Sequence, residues 1–311
     1  MPRQRYIAQL LFALTQSIGR QSANQELNWM KRATHAGCLK EMLERRVQGE
    51  PLQYILGGCT PIFIPVSSFC DSKLFKGTQP FGPLDLLTRA PILIPRPETE
   101  NWAIRLAELL QPTIERPLSV LDLCTGSGCV PLLLCHLWAR GSTRAYGVDI
   151  SDHAVELAKD NAARCGIPDV ASPHHFSNVY TPYLANVLDA TFRDSLPRSF
   201  DVITSNPPYI PLNEYHQLPR SVKDYEDPRA LLGDLPDSPG TDGLTFYHAI
   251  ARLVARDGVL NEGDQAMVVL EVGDKQAAAV ESILKTEGRL NSTEIWLDPW
   301  GKQRVVVGRR T

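Results

Sequence analysis

The chain has no apolar run approaching the ~18 residues that would read as a membrane span. It also lacks a dense stretch of lysine and arginine. The basic residues cluster only as the pairs Lys31-Arg32, Arg45-Arg46 and Arg309-Arg310, and the formal net charge is −3. A protein that grips a long run of phosphates unaided needs a basic track, so this balance argues against one. Seven cysteines, an odd count with no Cys-x-x-Cys spacing, speak for reduced thiols in an intracellular compartment. His174 and His175 are adjacent and have no partners at ligand spacing, so they read as a polar loop, and no metal is expected. Internal repeats and low-complexity tracts are absent too. The Pro/Gly/Asp-rich stretch Leu235 to Asp242 reads as a solvent loop, or else as a cover over substrate.

What is present suits a globular enzyme. With 43% hydrophobic and 22% charged residues the chain can bury a core, and 311 residues leave room for one large domain and a small one. Residues 1–57 keep helical periodicity, through Ile7, Leu10, Leu11, Leu14 and Ile18, then Asn28 to His35 and Cys38 to Gln48, and they predict a small all-helical domain. The first 25 residues carry Arg3, Arg5 and Arg20 and no acid, a composition like that of mitochondrial presequences; the same residues also read as the first helix of that domain. Residues 58–110 read as a linker with a hairpin. From about residue 110 strands and helices alternate, the strands being Leu118 to Leu123, Ala145 to Asp149, Leu184 to Asp189, Asp201 to Ser205 and Ala266 to Val272. Thr293 to Leu297 and Arg304 to Gly308 are close enough in sequence to close the sheet as an antiparallel pair. Residues 111–311 therefore predict an α/β domain, a seven-stranded, Rossmann-like, mostly parallel sheet with helices on both faces.

The chemistry is written where strands run out into loops. Asn206-Pro207-Pro208-Tyr209 follows the apolar run Phe200 to Ser205. An asparagine oxygen and a proline-fixed backbone carbonyl are two acceptors that can hold both hydrogens of a flat, neutral NH2 group, whether of a glutamine amide or of adenine. Tyr209 walls the pocket, packs on the substrate, or belongs to the core. Taken alone the tetrapeptide is also an ordinary turn. Upstream, Cys124-Thr125-Gly126-Ser127-Gly128 turns from a strand into a helix, and exposed N–H groups at a helix start attract a carboxylate or phosphate. The third glycine of a dinucleotide fingerprint is missing, since Cys129, Val130 and Pro131 follow, which favours a ligand smaller than a pyrophosphate. Asp149, 21 residues after Gly128, stands where an acid bonds both hydroxyls of a ribose. It also has the makings of a helix N-cap, a role Ser151 fills equally well. Asp189 and Asn206 extend the row. In parallel sheets ligands collect outside the carboxyl ends of strands, so all these residues converge on one crevice, in the motif order of an S-adenosylmethionine-dependent methyltransferase.

The chain resembles the HemK/PrmC family of protein-(glutamine-N5) methyltransferases, which modify the Gly-Gly-Gln loop of peptide-chain release factors. Besides Asn206 to Tyr209, the likeness takes in Glu50 to Gly57, Leu93-Ile94-Pro95-Arg96-Pro97-Glu98-Thr99-Glu100, Tyr225 to Leu231, Asp242 to Tyr247, Leu270-Glu271-Val272-Gly273 and Gly301 to Arg304. The ending Asp298 to Arg304 is most like the fungal mitochondrial branch. The resemblance implies S-adenosylmethionine as cofactor, with its methionine end at Cys124 to Gly128, its ribose at Asp149 and its adenine near Asp189, and it implies Asn206, Pro207 and Tyr209 at the substrate, with Asn206 also among the cofactor-binding residues. The helical domain would then recognise the release factor, and a mitochondrial location follows, with the cytoplasm as the alternative. Two positions depart from the family: Cys124 stands where members often have Gly, a change conservative in size, and Ala190 where they have an aromatic. Arg96 and Glu98 read as substrate contacts or as a buried ion pair joining the domains. Residues 58–76 are a 19-residue insertion, either a lineage-specific loop or a retained intron. They carry no catalytic chemistry and are expected to be deletable. An N6-adenine nucleic-acid methyltransferase remains the alternative, with a cofactor-binding assembly factor as a third reading.

Overall fold

The computed structural model describes residues 2–33, 38–57, 77–169, 177–189, 191–192, 199–234 and 242–310. The insertion 58–76, His174, His175, Ala190 and residues 235–241 lie outside the described residues. Two compact units form. One comprises Met1–Pro80, Asp85–Ile94 and Leu218–Asp227, and the other Phe81–Leu84, Pro95–Gln217 and Pro228–Thr311.

The first unit is helical. Helices α1 (Pro2–Ile18), α2 (Arg20–Ala33), α3 (Leu39–Val47) and α4 (Leu52–Gly57) follow one another, and Gly19, at φ 83°, supplies the break between the first two. The periodic apolar residues of α1 meet the others in one core: Leu10 and Leu14 pack with Leu27, Met30, Leu43 and Ile55. Arg46 of α3 reaches Glu26 of α2 with two hydrogen bonds, at 2.7 and 3.1 Å, a bidentate pair more specific than a single contact. In the same unit the Tyr54 hydroxyl donates to the carbonyl of Ile92.

Strands β1 (Thr78–Phe81) and β2 (Leu84–Leu87) form a two-stranded sheet. Helix α5 (Pro97–Leu109) comes next. It lies within the segment read as linker but groups with the second unit. Then come β3 (Leu118–Leu123), α6 (Cys129–Leu137), β4 (Thr143–Asp149), α7 (Asp152–Cys165), β5 (Val179–Leu184) and β6 (Val202–Ser205). After β6 the chain makes three one-turn helices, α8 (Leu212–Tyr215), α9 (Arg220–Lys223) and α10 (Pro228–Leu231). It ends with α11 (Thr245–Val254), β7 (Met267–Glu271), α12 (Ala277–Thr286), β8 (Ser292–Leu297) and β9 (Gln303–Arg309).

The seven-stranded sheet has the order β5-β4-β3-β6-β7-β9-β8. Five strands are parallel, and β9 lies antiparallel to both β7 and β8, as expected for the closing pair. This is the fold of class I S-adenosylmethionine-dependent methyltransferases. Burial on both faces explains why the central strands read as unbroken apolar runs: Leu121, Leu123, Ile203, Val268 and Leu270 pack with Tyr247, Ile250 and Val254 of α11 and with Val280 and Leu284 of α12. Between β8 and β9 the Asp298 carboxylate accepts from the backbone N–H groups of Trp300 and Lys302, both at 2.9 Å, so the Asp298 to Arg304 motif is a side-chain-locked turn.

One strand is displaced from its sequence reading. The third parallel strand runs from Val179 to Leu184 and not from Leu184 to Asp189. Pro182 lies inside it, and a proline argues against a central strand because it cannot donate to the ladder. Here β5 is the edge of the sheet, paired on one side only, where a missing N–H is tolerated.

Candidate functional site

The strand order reverses between β3 and β6: β4 and β5 lie to one side of β3, β6 and β7 to the other. Such a switch point opens a crevice at the carboxyl ends of the strands, and four of those ends carry the candidate site residues. After β3, the turn Cys124 to Gly128 takes the left-handed conformation three times, at Cys124 (φ 58°), Gly126 (φ 55°) and Gly128 (φ 78°). It is held from behind. Thr125 N–H donates to the Val148 carbonyl at 2.9 Å, the Asn161 amide donates to the Ser127 carbonyl at 3.0 Å, and the Thr125 and Tyr180 hydroxyls share a bond of 3.0 Å. A Cβ on Gly128 would meet Tyr180 at 3.2 Å and Ala158 at 3.3 Å, whereas one on Gly126 would meet nothing within 4 Å. The open side of the turn is therefore at Gly126, beside the first residues of α6.

Conformation, more than size, is what position 124 demands. A side chain in the left-handed region costs about 1–2 kcal/mol, and Cys124 accepts that cost while packing its partly buried thiol against the core. Cys124→Gly should change stability by less than about 1 kcal/mol, relieved strain offsetting lost contacts and a more flexible unfolded chain. The β-branched Cys124→Val should lose about 2 kcal/mol or more, read from urea unfolding midpoints. Burial pushes the Cys124 thiol well up, with Asp149 and Asp122 adding to the rise, so it is no thiolate nucleophile at neutral pH.

Asp149, at the end of β4, turns back onto the glycine turn: its Oδ2 accepts from Gly126 N–H and its Oδ1 from Ser151 N–H, both at 2.9 Å. The N-cap role goes to Ser151, whose hydroxyl accepts from Ala154 N–H at 3.4 Å. A second acid, unremarked in the sequence reading, lies behind the turn. Asp122 is buried within β3, takes the Thr204 hydroxyl at 2.6 Å, and is pushed by burial up to about 7 against the downward pull of Thr125 and Thr204. Asp189 is not a strand-end acid. It lies in a turn five residues beyond β5, exposed, and its Oδ1 accepts from the backbone N–H and the hydroxyl of Thr191, at 2.8 and 2.9 Å. Those bonds hold its carboxyl below the usual range. None of the hydrogen bonds among the described residues ties it to the glycine turn.

Asn206 follows β6 directly and is half-buried; Pro207 and Pro208 are buried. The Asn206 amide nitrogen donates to the Thr99 hydroxyl at 3.2 Å. Among the described residues neither its Oδ1 nor the Pro207 carbonyl accepts a hydrogen bond. Gln276, just before α12, pins the loop: its amide nitrogen donates to the carbonyls of Tyr209 (2.9 Å) and Asp242 (2.8 Å), while its oxygen accepts from Gly273 N–H at 2.9 Å. Burial raises the Tyr209 phenol well above its ordinary range, and Glu271 raises it further, so it stays protonated; Arg96 and Glu98 are close enough to act on it. Arg96 precedes α5 and Glu98 is in its first turn, where an acid complements the helix dipole; both are half-buried, not buried.

Glu271, the last of β7, lies in a run that carries the family likeness but has no role assigned to it from the sequence. It is 1% exposed, and its Oε2 accepts from the Thr99 hydroxyl at 2.6 Å and from the Trp102 indole at 2.8 Å. The Tyr209 hydroxyl approaches its Oε1 at 3.5 Å. Burial raises the Glu271 carboxyl, opposed by Thr99, Trp102 and Arg304. An acid ending the apolar run Met267 to Leu270 was the available signal.

Comparison with known proteins adds three relatives and one domain model. The PrmC N-terminal domain matches residues 22–57. A release factor glutamine methyltransferase of Thermodesulfovibrio yellowstonii is 32% identical over 272 residues, 88% of this chain and 81% of that one. One of Bacillus anthracis is 29% identical over 267 residues, 86% and 78% of the two chains. The mitochondrial MRF1 N(5)-glutamine methyltransferase MTQ1 of Saccharomyces cerevisiae is 32% identical over 250 residues, 74% and 68% of the two chains.

Proposed function

Because the chain belongs to the family of release factor glutamine methyltransferases, we propose that it methylates the side-chain amide nitrogen of the glutamine in the Gly-Gly-Gln loop of a mitochondrial release factor. The observation that carries this reading is the pair of acceptors at the end of β6. Asn206 Oδ1 and the Pro207 carbonyl accept from no described protein donor and stand on a loop fixed from behind by Gln276. Two fixed acceptors match the two hydrogens of a primary amide.

S-adenosylmethionine, when bound, supplies an electrophilic methyl group. The glycine turn fits it: Gly126 is open, the start of α6 offers N–H groups to a carboxylate, and Asp149 stands at the position of a ribose-binding acid. A carboxylate accepts from about four donors, so the bonds to Gly126 and Ser151 are compatible with that role. Asp189 would serve the adenine, in a looser manner than a strand-end acid. The amide nitrogen of glutamine is a poor nucleophile because its lone pair is delocalised, so positioning must supply much of the rate. Asn206 and Pro207 hold its hydrogens, aim the nitrogen, and stabilise positive charge as it grows there. Tyr209 keeps its proton and walls the site beside Glu271. No general base is needed, since the methylated nitrogen is strongly acidic.

The helical residues 1–57 would recognise the release factor. Mitochondrial placement rests on the acid-free, basic first 25 residues, on the resemblance of the Asp298 to Arg304 ending to the fungal branch, and on the yeast relative's name. Incubation with labelled cofactor, a release factor and DNA should label the release factor alone, and a Gln→Ala change in its Gly-Gly-Gln loop should abolish labelling. Methyl transfer to DNA at a comparable rate would overturn this reading in favour of an adenine methyltransferase. Asp149→Ala should weaken cofactor binding by about 1–3 kcal/mol, seen in calorimetry, through lost bonds to a charged acceptor; unchanged affinity would remove Asp149 from the cofactor site.

A further inference from the structure

The hydrogen bonds behind Asn206 run in one direction. Trp102 has only a hydrogen to give, and it gives it to Glu271 Oε2 at 2.8 Å. The same oxygen, 2.6 Å from Thr99 Oγ1, takes the threonine hydrogen. With its hydrogen committed, the Thr99 oxygen can only accept from Asn206, and what lies 3.2 Å away is the amide NH2. If the amide turned over, Oδ1 would face an oxygen with no hydrogen left to offer, and NH2 would face the substrate. A donor there would repel the NH2 of a primary amide.

We infer that Thr99, polarised by Glu271 and Trp102, is a positioning residue that fixes which end of the Asn206 side chain meets the substrate. This inference rests on the reading of Asn206 as the group that holds the substrate amide. It assigns a task to three residues from elements far apart in the chain: Thr99 and Trp102 lie one turn apart on α5, and Glu271 ends β7, next to β6 in the sheet. The sheet therefore delivers the acceptor from the strand beside the catalytic loop, and the helix delivers both donors to it. The Tyr247 hydroxyl donates to the Glu271 backbone carbonyl at 2.9 Å and helps hold the strand end still.

The test is steady-state methylation of a release factor by Thr99→Val, Thr99→Ser, Asn206→Ala and the Thr99→Val/Asn206→Ala double variant, with cofactor affinity from calorimetry. Valine keeps the shape and removes the hydroxyl. The expected result is a fall in kcat on the order of 30-fold for Thr99→Val with unchanged cofactor affinity, recovery to within about threefold in Thr99→Ser, and no further loss from Thr99→Val once Asn206 is alanine. If Thr99→Val folds poorly, Thr99→Ala, which adds no bulk, is measured in its place. A Thr99 variant that lacks the hydroxyl but turns over within twofold of the parent would overturn the inference, and so would a loss that serine does not recover or one that adds in full to Asn206→Ala. If Asn206→Ala itself keeps its turnover, the underlying reading of the substrate site fails instead, and the two failures are told apart.

Discussion

Asn206→Ala is expected to lower turnover by about 10²–10³-fold while cofactor affinity stays within about twofold of the parent. The side chain has one bond to the protein among the described residues, to Thr99, and its oxygen accepts from none of them; in the proposed function that oxygen meets the substrate. Alanine therefore removes an interaction that strengthens as charge develops on the attacking nitrogen, and it leaves the glycine turn and Asp149 untouched. Pro207, which loses nothing, keeps one acceptor in place, so a residue of activity should survive. Single-turnover methylation measures the first quantity and titration calorimetry the second. Equal defects in both would mean that Asn206 serves the cofactor and that the division between binding and chemistry drawn above is wrong.

Gly243→Ala is expected to cost about 3 kcal/mol of stability and, in whatever fraction folds, most of the turnover. Gly243 has φ 74°, and a Cβ built there would stand 2.2 Å from the Tyr209 carbonyl oxygen and 2.9 Å from its carbon. Backbone cannot swing aside as the tip of a flexible side chain does. To admit one methyl group, the chain at Tyr209 must move, and with it the Pro207 carbonyl and Asn206 two and three residues back. The same Cβ would meet the Gln276 amide nitrogen at 2.9 Å, the group that pins the Tyr209 carbonyl. Urea unfolding together with activity at matched folded fraction separates the two losses. An unchanged unfolding midpoint would show that the loop has room to spare.

Much of this architecture was legible because it rests on local pattern. Central strands buried on both faces read as apolar runs, and a loop residue immediately after such a run stands at a carboxyl end whatever the strand order; Cys124 to Gly128, Asp149 and Asn206 were placed that way. Ser151 was legible as an N-cap for the same reason. Asp189 was misplaced because Leu184 to Leu188 looks more strand-like than Val179 to Leu184, whose proline is admissible only at a sheet edge, a fact of topology that the segment does not contain. The link between Glu271, Thr99 and Trp102 was beyond reach in another way. Their bonds join positions 169 and 172 residues apart in the chain, and no local spacing says that a helix preceding the sheet and a strand near its end share one carboxylate. Cys124 taught a smaller lesson: the sequence shows a small residue among glycines, whereas the positive φ that makes small residues useful there is a property of the backbone.

The position of β9 has a consequence for the order in which the protein is made. In the sheet it lies between β7 and β8, yet it is synthesised after both. While a ribosome is still adding residues 303–309, the outer edge of β7 has no partner, and the strand that ends in Glu271 is an open template of N–H and C=O groups beside an apolar core. The nascent chain can complete the glycine turn and dock β6 early, but β7, the strand that carries the Glu271 carboxylate, is held on both sides only after the C-terminal strand slides between two strands made before it. Chains interrupted a few codons short of that strand should accumulate as aggregating species rather than as weakly active enzyme, and this segment is where a chaperone would have the most to protect.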